Sequence, residues 1–323
     1  MSAFVPTEKA TSIRFPSTAN FLIQSQDRYN YGSNYSTAGQ FTIQKNNSLL
    51  NGFFTRIAPT EVTLKWCIPN VYDISGAGNI DPLLSAGNFF PSNVRVDISG
   101  GAITNVKIPV GLYTIAQALD TLVLRLNAAS LGATFSIVQN ADGISVALAS
   151  TVAYRFSLSS NNFVSRLGFG VGGSYATSRT IYNNRPTLSG TDLSGYQVSS
   201  GSNPGTSLVQ FDYLDFLSQQ LTYNQELKDT TTDTTVRDIL FRWNLTQQPD
   251  PVVDKYGFPI YPTYRPFFER RPIAFPKQIK WSNNMPIGQL LFEVYATPTT
   301  GADAILLNAD GYDWGMTLLV SEV

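Results

Sequence analysis

The chain has 323 residues, with 22 lysines and arginines against 23 acidic residues, and a net charge of -1 gives no overall attraction to nucleic acid or anionic membranes. The sequence contains no histidine, which excludes histidine-dependent catalytic triads and histidine metal sites. Carboxylates, lysine, tyrosine and the single cysteine, Cys67, are what remains for enzymatic chemistry.

No run of residues is long and apolar enough for a membrane helix, so we expect no membrane span. The first twenty residues lack the basic and then apolar order of a signal peptide. A lone cysteine permits no intrachain disulfide, which is compatible with a reducing compartment such as the cytoplasm.

Alternation of apolar and polar residues predicts β-strands in the first quarter and the last third of the chain. Loops rich in proline, glycine, asparagine and aspartate separate these runs, and this spacing is typical of a two-sheet sandwich. The predicted strands cover residues 62–68, 209–213, 239–245, 275–281, 290–296 and 314–320.

The middle of the chain has a different pattern. A hairpin over 94–108 leads into a predicted helix over 115–127, where Thr114 and Gln117 form a capping box. Further strands are expected at 135–137, 144–148 and 154–158. The order ββαβββ predicts a small α+β domain, residues 76–175, inserted into the sandwich.

Several segments resemble the vertex (penton) capsid proteins of virophages and polinton-like viruses. In the last third they are Val236-Arg-Asp-Ile-Leu, Tyr264-Arg-Pro-Phe, Arg271-Pro-Ile-Ala-Phe-Pro-Lys-Gln-Ile-Lys-Trp and Pro286-Ile-Gly-Gln-Leu-Leu-Phe-Glu-Val-Tyr. Earlier segments of the same style are Arg56-Ile-Ala-Pro-Thr-Glu-Val-Thr-Leu-Lys-Trp-Cys-Ile-Pro-Asn, Ile108-Pro-Val-Gly-Leu-Tyr-Thr and Leu167-Gly-Phe.

This resemblance implies a mainly β protein, a single jelly-roll sandwich carrying the α+β insert as an outer tower. The sequence patterns, including the lack of periodicity in the first twenty residues, divide the chain into an N-terminal arm (1–20), a jelly roll (21–75 and 176–323) and the insert (76–175). The resemblance further implies a virion protein, made in the host cytoplasm, that forms pentamers at icosahedral fivefold vertices and contacts the major capsid protein. No catalytic residue and no cofactor follow from it.

Two other functions remain open. The chain could be a minor capsid or surface protein that binds a host receptor or glycan through the insert. It could also be a carboxylate glycosidase, since a carboxylate pair can hydrolyse glycosides without histidine. The acidic residues lie mostly in threonine-rich loops, where turn formation and solvation are their usual roles, and no metal-binding spacing is present. These residues are Asp212, Asp215, Asp229, Asp233 and Asp238.

A basic cluster is the candidate contact surface. Five cations face a single acid, Glu269, between residues 265 and 280, for a local excess of five minus one, or +4. Interleaved proline and aromatic residues favour a subunit contact over a mobile tail, with a solvated face and genome contact as alternatives. The cations are Arg265, Arg270, Arg271, Lys277 and Lys280.

Overall fold

The structure, a computed structural model, is built mainly of antiparallel strands. It describes residues 18–31, 37–44, 56–72, 90–91, 93–141, 145–157, 162–182, 208–222, 239–245, 250–276, 278–280, 289–298, 304–307 and 311–321. Among these residues no helix is long and apolar enough to cross a membrane.

The elements follow one another in an order that separates a middle unit from flanking strands. In chain order the strands are β1 (Thr18–Gln24), β2 (Gln40–Gln44), β3 (Arg56–Trp66), β4 (Val71–Tyr72), β5 (Phe90–Pro91), β6 (Asn93–Ile98), β7 (Ile103–Lys107), β8 (Phe135–Gln139), β9 (Ser145–Phe156), β10 (Ala176–Tyr182), β11 (Phe211–Leu217), β12 (Ile239–Asn244), β13 (Asp250–Val253), β14 (Pro259–Ile260), β15 (Phe267–Pro272), β16 (Ile279–Lys280), β17 (Gln289–Pro298), β18 (Ile305–Leu306) and β19 (Tyr312–Ser321). The helices are α1 (Ile115–Ala128), α2 (Asn162–Arg166) and α3 (Gln219–Thr222), and 3-10 turns span Ser25–Tyr31 and Pro262–Tyr264.

The flanking strands form a jelly roll. One sheet has the order β1-β19-β3-β15 and the other contains β2-β17-β11-β12. If the eight main strands are numbered along the chain, these orders are 1-8-3-6 and 2-7-4-5, the two interlocked Greek keys of a jelly roll. The predicted fold class is therefore confirmed by the strand order.

Period-two alternation explains why each strand buries one face. On β3, Val62, Leu64 and Trp66 point into the core at no more than 1% exposure, while Lys65 points outward. Between the sheets, the Trp314 ring lies 4.9 Å from that of Phe216, centroid to centroid. The indole Nε1 of Trp314 donates to a buried backbone carbonyl, so its polar atom is satisfied inside the core.

A third sheet belongs to the middle of the chain. Its order is β10-β9-β6-β7, with β8 also paired to β9, and α1 packs against it to enclose a second hydrophobic core. The predicted helix and its cap are confirmed: Thr114 Oγ1 accepts from the Gln117 amide at 3.2 Å, and Gln117 Oε1 accepts from the Thr114 amide at 3.0 Å.

Three local predictions differ from the structure. The strands expected at 144–148 and 154–158 are one strand, β9, because β8 and β6 pair with successive parts of it. Of the strand expected over 275–281, the described residues form only β16; Pro276 cannot donate a backbone hydrogen bond, Phe275 is 95% exposed, and residues 277 and 281 lie outside those described. The predicted arm overlaps β1 by three residues, and residues 1–17 lie outside those described.

The predicted division into domains stays a prediction. The third sheet runs beyond residue 175, because β10 pairs with β9. We propose that the inserted unit ends after β10 and not before it.

Strands β1, β3, β12 and β17 finish at one end of the sandwich. At this end β3 finishes where β19 starts, with Trp66 opposite Tyr312, and Phe267 at the start of β15 is also opposite Trp66. At the other end Ser321 is opposite both Thr18 and Arg56. The inserted unit, which follows β3, is thus at the end opposite the start of β1.

A partly buried charge network ties the connection after β1 to β19. Arg28 Nη1 donates to Asp313 Oδ1 at 2.9 Å, and Ser25 Oγ donates to the same oxygen at 3.0 Å. Burial acts to raise the pKa of Asp313, but hydrogen bonds from Arg28 and Ser25, with the positive charge of Arg28, hold it below its usual value. The carboxylate therefore stabilises the folded state wherever it is ionised.

We predict that Asp313→Ala lowers the free energy of unfolding at pH 7 by about 2 kcal/mol, because Arg28 loses its carboxylate partner. The lowered pKa stabilises the fold above the unfolded-state value of about 3.9, and this contribution disappears as the pH falls through the folded-state value. Urea unfolding at pH 7 and in acid measures the difference between the two proteins, which should shrink in acid. Gln26→Ala is the matched variant: it removes only the exposed 3.5 Å hydrogen bond from Gln26 to Asp313 Oδ2, with an expected change below about 0.5 kcal/mol.

Candidate assembly surface

The predicted contact surface lies on an edge of the jelly roll. Within the described residues β15 pairs with β3 alone and is the last strand of its sheet on that side. Residues alternate along β15: Phe267 stacks on Trp66 in the core, with ring centroids 6.4 Å apart, while Phe268 and Arg270 point outward. We call Phe268, Arg270, Pro272 and Phe275 the β15 edge.

Arg271 points inward and closes the side of the sandwich. Its Nε donates to Glu269 Oε1 at 2.6 Å, and its guanidinium lies 4.3 Å from the ring centroid of Trp243 on β12. The side chain thereby joins the edge strands of the two sheets. A guanidinium against an indole face adds a cation–π attraction to the packing of its aliphatic stem.

Arg270 points outward and pairs with a different carboxylate. Its Nη2 is 2.6 Å from Glu61 Oε2 on the neighbouring strand β3, and its side chain remains 68% exposed. The hydrogen bond to Glu61 raises the pKa of Arg270. Glu61 is far from the cluster in sequence, so the predicted excess of +4 omitted one compensating charge.

The remaining cations occupy both ends of the same segment. Arg265 is exposed just before β15. The backbone of Lys280 lies in β16, opposite Arg56 of β3. Lys277 lies outside the described residues. The segment thus follows β3 from Trp66 to Arg56.

Two exposed aromatic side chains accompany the cations. Phe268 is 72% exposed and Phe275 is 95% exposed. Strand rise places Phe268, opposite Lys65, roughly 13 Å along β3 from Pro272, opposite Glu61. Exposed aromatic residues beside arginine are the composition that protein interfaces favour at their centres. Arg270 and Pro272 also hinder uncontrolled strand pairing at the edge of a sheet.

The carboxylates considered for catalysis do not form an open acidic pair in the described residues. Both oxygens of Asp215 accept from Arg242, at 2.6 and 2.9 Å, and its side chain is only 1% exposed. The Arg242 guanidinium also lies 3.8 Å from the ring centroid of Tyr213. Asp215 is therefore occupied by a structural ion pair.

The other acidic candidates supply no further site in the described part of the chain. Asp212 is partly buried, and burial raises its pKa. Asp229, Asp233 and Asp238 lie outside the described residues. Among the residues described, no group of three or more potential metal ligands comes together.

Comparison with known proteins gives matches at the level of structure. No protein-family model and no curated protein matches the sequence. The chain is similar to the crystal structure of the selenomethionine-labelled mavirus penton protein, with a TM-score of 0.44 and 10% identity over 96% of this chain and 100% of that one. It is also similar to a chain of the Sputnik virophage determined by cryo-EM, with a TM-score of 0.39 and 14% identity over 95% and 98% of the two chains.

We predict that the two adjacent arginines of β15 differ in their effect on stability. Arg271→Ala should lower the free energy of unfolding by about 1–2 kcal/mol, because it removes an ion pair and the contact with Trp243. Arg270→Ala, the matched control, should change it by less than about 0.5 kcal/mol, because its pair with Glu61 is solvated. Urea unfolding of both variants measures this, and equal losses would contradict the assignment of inward and outward roles.

Proposed function

We propose that this chain is a structural capsid protein of the vertex type, which forms a ring of five copies and contacts the major capsid protein around it. The observation that supports the proposal is the arrangement of the jelly roll. An inserted unit occupies one end of the sandwich, and the chain enters β1 at the opposite end. A block of this shape has two distinct ends and two distinct sides.

The two different sides favour a closed ring of copies and not a twofold-symmetric dimer. β15 and β12 are the edge strands on one side, and β1 and β2 are those on the other. Contacts between two different sides are head-to-tail, and such contacts close into cyclic oligomers when the rotation fits. We propose that the β15 edge forms one half of this lateral contact. Leu22, 58% exposed on β1, marks the opposite side.

The two ends support an orientation in the shell. We propose that the inserted unit faces outward, and that the end of the sandwich where β1 starts faces inward. In this arrangement the chain functions through its contacts with other capsid subunits. Asp215, the buried acid of β11, then has a structural role and not a catalytic one.

The proposal predicts a solution mass of about 177 kDa, five times the chain mass of 35.4 kDa. Light scattering of the purified chain, alone and mixed with the major capsid protein, measures it. A monomer under both conditions would contradict the ring.

Two variants test the lateral contact within that experiment. Phe268→Ser and Arg270→Glu should shift the mass toward one copy, because they remove an exposed aromatic and reverse a charge on the β15 edge. Leu124→Ser is the matched control, since Leu124 is 67% exposed on α1 of the inserted unit. A ring that survives both substitutions would place the lateral contact elsewhere.

A second candidate function, recognition of a host receptor or glycan, is favoured by exposed apolar side chains on one face of the third sheet. Ile103 and Val138 are 52% and 46% exposed. Their partners on the neighbouring strands, Asp97 and Ala147, alternate along β6 and β9 with residues that pack in the core. Ile103 and Val138 therefore lie on the face opposite α1. Asp97 joins Arg155 and the hydroxyl of Tyr175 on this face. Binding of intact chain to a glycan array, lost in Tyr175→Ala but not in Leu124→Ser, would support this role.

A further inference from the structure

We propose that residues 250–264, the segment between β12 and β15, form a clamp that completes the core of the inserted unit and holds that unit in one orientation on the jelly roll. This property belongs to the single chain and does not depend on how the chain assembles. It follows from core contacts, from a shared helix terminus and from the short paths between the two cores.

The core of the inserted unit is closed by residues that are distant in sequence. Phe258 is fully buried and Tyr264 is 1% exposed, and both pack with α1 and the third sheet in one apolar cluster. Leu208 and Val209, just before β11, belong to the same cluster. The Leu208 amide donates to the Tyr264 hydroxyl at 2.9 Å, which joins the two outlying segments. Residues 76–175 alone therefore leave this core open.

Asp254 links the clamp to the N-terminus of α1. Its Oδ2 accepts from the amide of Ala116, the second residue of the helix, at 2.8 Å. Its Oδ1 accepts from the amides of Tyr256 and Phe258, at 2.9 and 3.0 Å, so the same carboxylate shapes the turn that presents Phe258. Thr114 caps the Gln117 amide, and Asp254 provides a second capping oxygen from outside the unit.

A second contact lies one helical turn further along α1. Asp120, four residues after Ala116, accepts from the hydroxyl of Tyr256 at 2.8 Å and pairs with Lys255. Residues four apart share one face of a helix, so the contacts at Ala116 and Asp120 lie along a single side of α1. The ion pair between Lys255 and Asp120 is exposed, so it helps to position the clamp along α1 more than it adds to the free energy of unfolding.

The chain crosses between the two cores at three places in the described residues, and each crossing is very short. Ile68 is in the jelly-roll core and Val71 in that of the inserted unit. Val209 and Phe211 make the second crossing.

Tyr264 and Phe267 make the third crossing, and Phe267 stacks on Trp66. An insertion between two strands needs two connections, and the clamp adds two more: an entry from Leu245 of the jelly-roll core, which includes residues outside those described, and this short return. Three short attachments restrict rotation of the unit far more than two flexible linkers would.

Hydrogen–deuterium exchange of the intact chain tests the clamp. Phe258→Ala and Asp254→Ala should each accelerate amide exchange in β8 and β9 by at least about tenfold, while exchange in β3 and β19 stays at the wild-type rate. Val253→Ala is the matched control, because Val253 precedes Asp254 and is 54% exposed. Exchange in β8 and β9 within about twofold of wild type in both variants, or equal acceleration in both sheets of the jelly roll, would overturn the proposal.

A distance measurement tests orientation in case Phe258→Ala does not fold. In a Cys67→Ser background, spin labels on Leu124→Cys and Phe268→Cys report the separation of the inserted unit from the β15 edge, and both positions are exposed. The wild-type clamp should give one narrow distance distribution, which Asp254→Ala broadens. An equally broad distribution before the substitution would also overturn the proposal.

Discussion

The pairing of β19 between β1 and β3 is the constraint on which the rest of the structure depends. β19 is opposite β3 along its whole length and opposite β1 along most of it, so strands far apart in sequence share one sheet. Closing such long loops costs chain entropy, which burial of the inward-facing residues of β19 has to offset. Those residues are Tyr312, Trp314, Met316, Leu318 and Val320. Once β19 is in place, β3 has only one free side, and β15 takes it.

The position of β3 also explains why the candidate surface and the inserted unit are neighbours. β3 carries β15 on its side and leads directly into the inserted unit at its end. The chain returns along the same end in the clamp, and Phe267 then starts β15 against Trp66. A change in the orientation of the inserted unit would therefore be transmitted first to the start of the β15 edge.

Local patterns in the sequence predicted much of the secondary structure, because alternation and capping act over a few residues. Helix α1, with Thr114 and Gln117, is the clearest case. The partners of charged residues could not be predicted in the same way: Glu61 reaches Arg270 only because β3 and β15 pair, and Arg271 meets Trp243 only because two sheet edges converge. The clamp has no local signal, since Asp254 and Phe258 lie in a stretch whose turn residues resemble an ordinary loop.

The contrast between Arg270 and Arg271 shows how one basic run can serve two purposes. Strand geometry sends adjacent side chains to opposite faces, so two identical residues meet different environments. Arg271 is committed to the fold, because its charge and its stem are both used against Glu269 and Trp243. Arg270 keeps most of its surface in solvent beside Phe268, and its pair with Glu61 costs little to exchange for a carboxylate on another chain. If the β15 edge forms the lateral contact that we propose, it uses both kinds of residue: the inward ones hold the edge in place, and the outward ones meet the neighbouring copy.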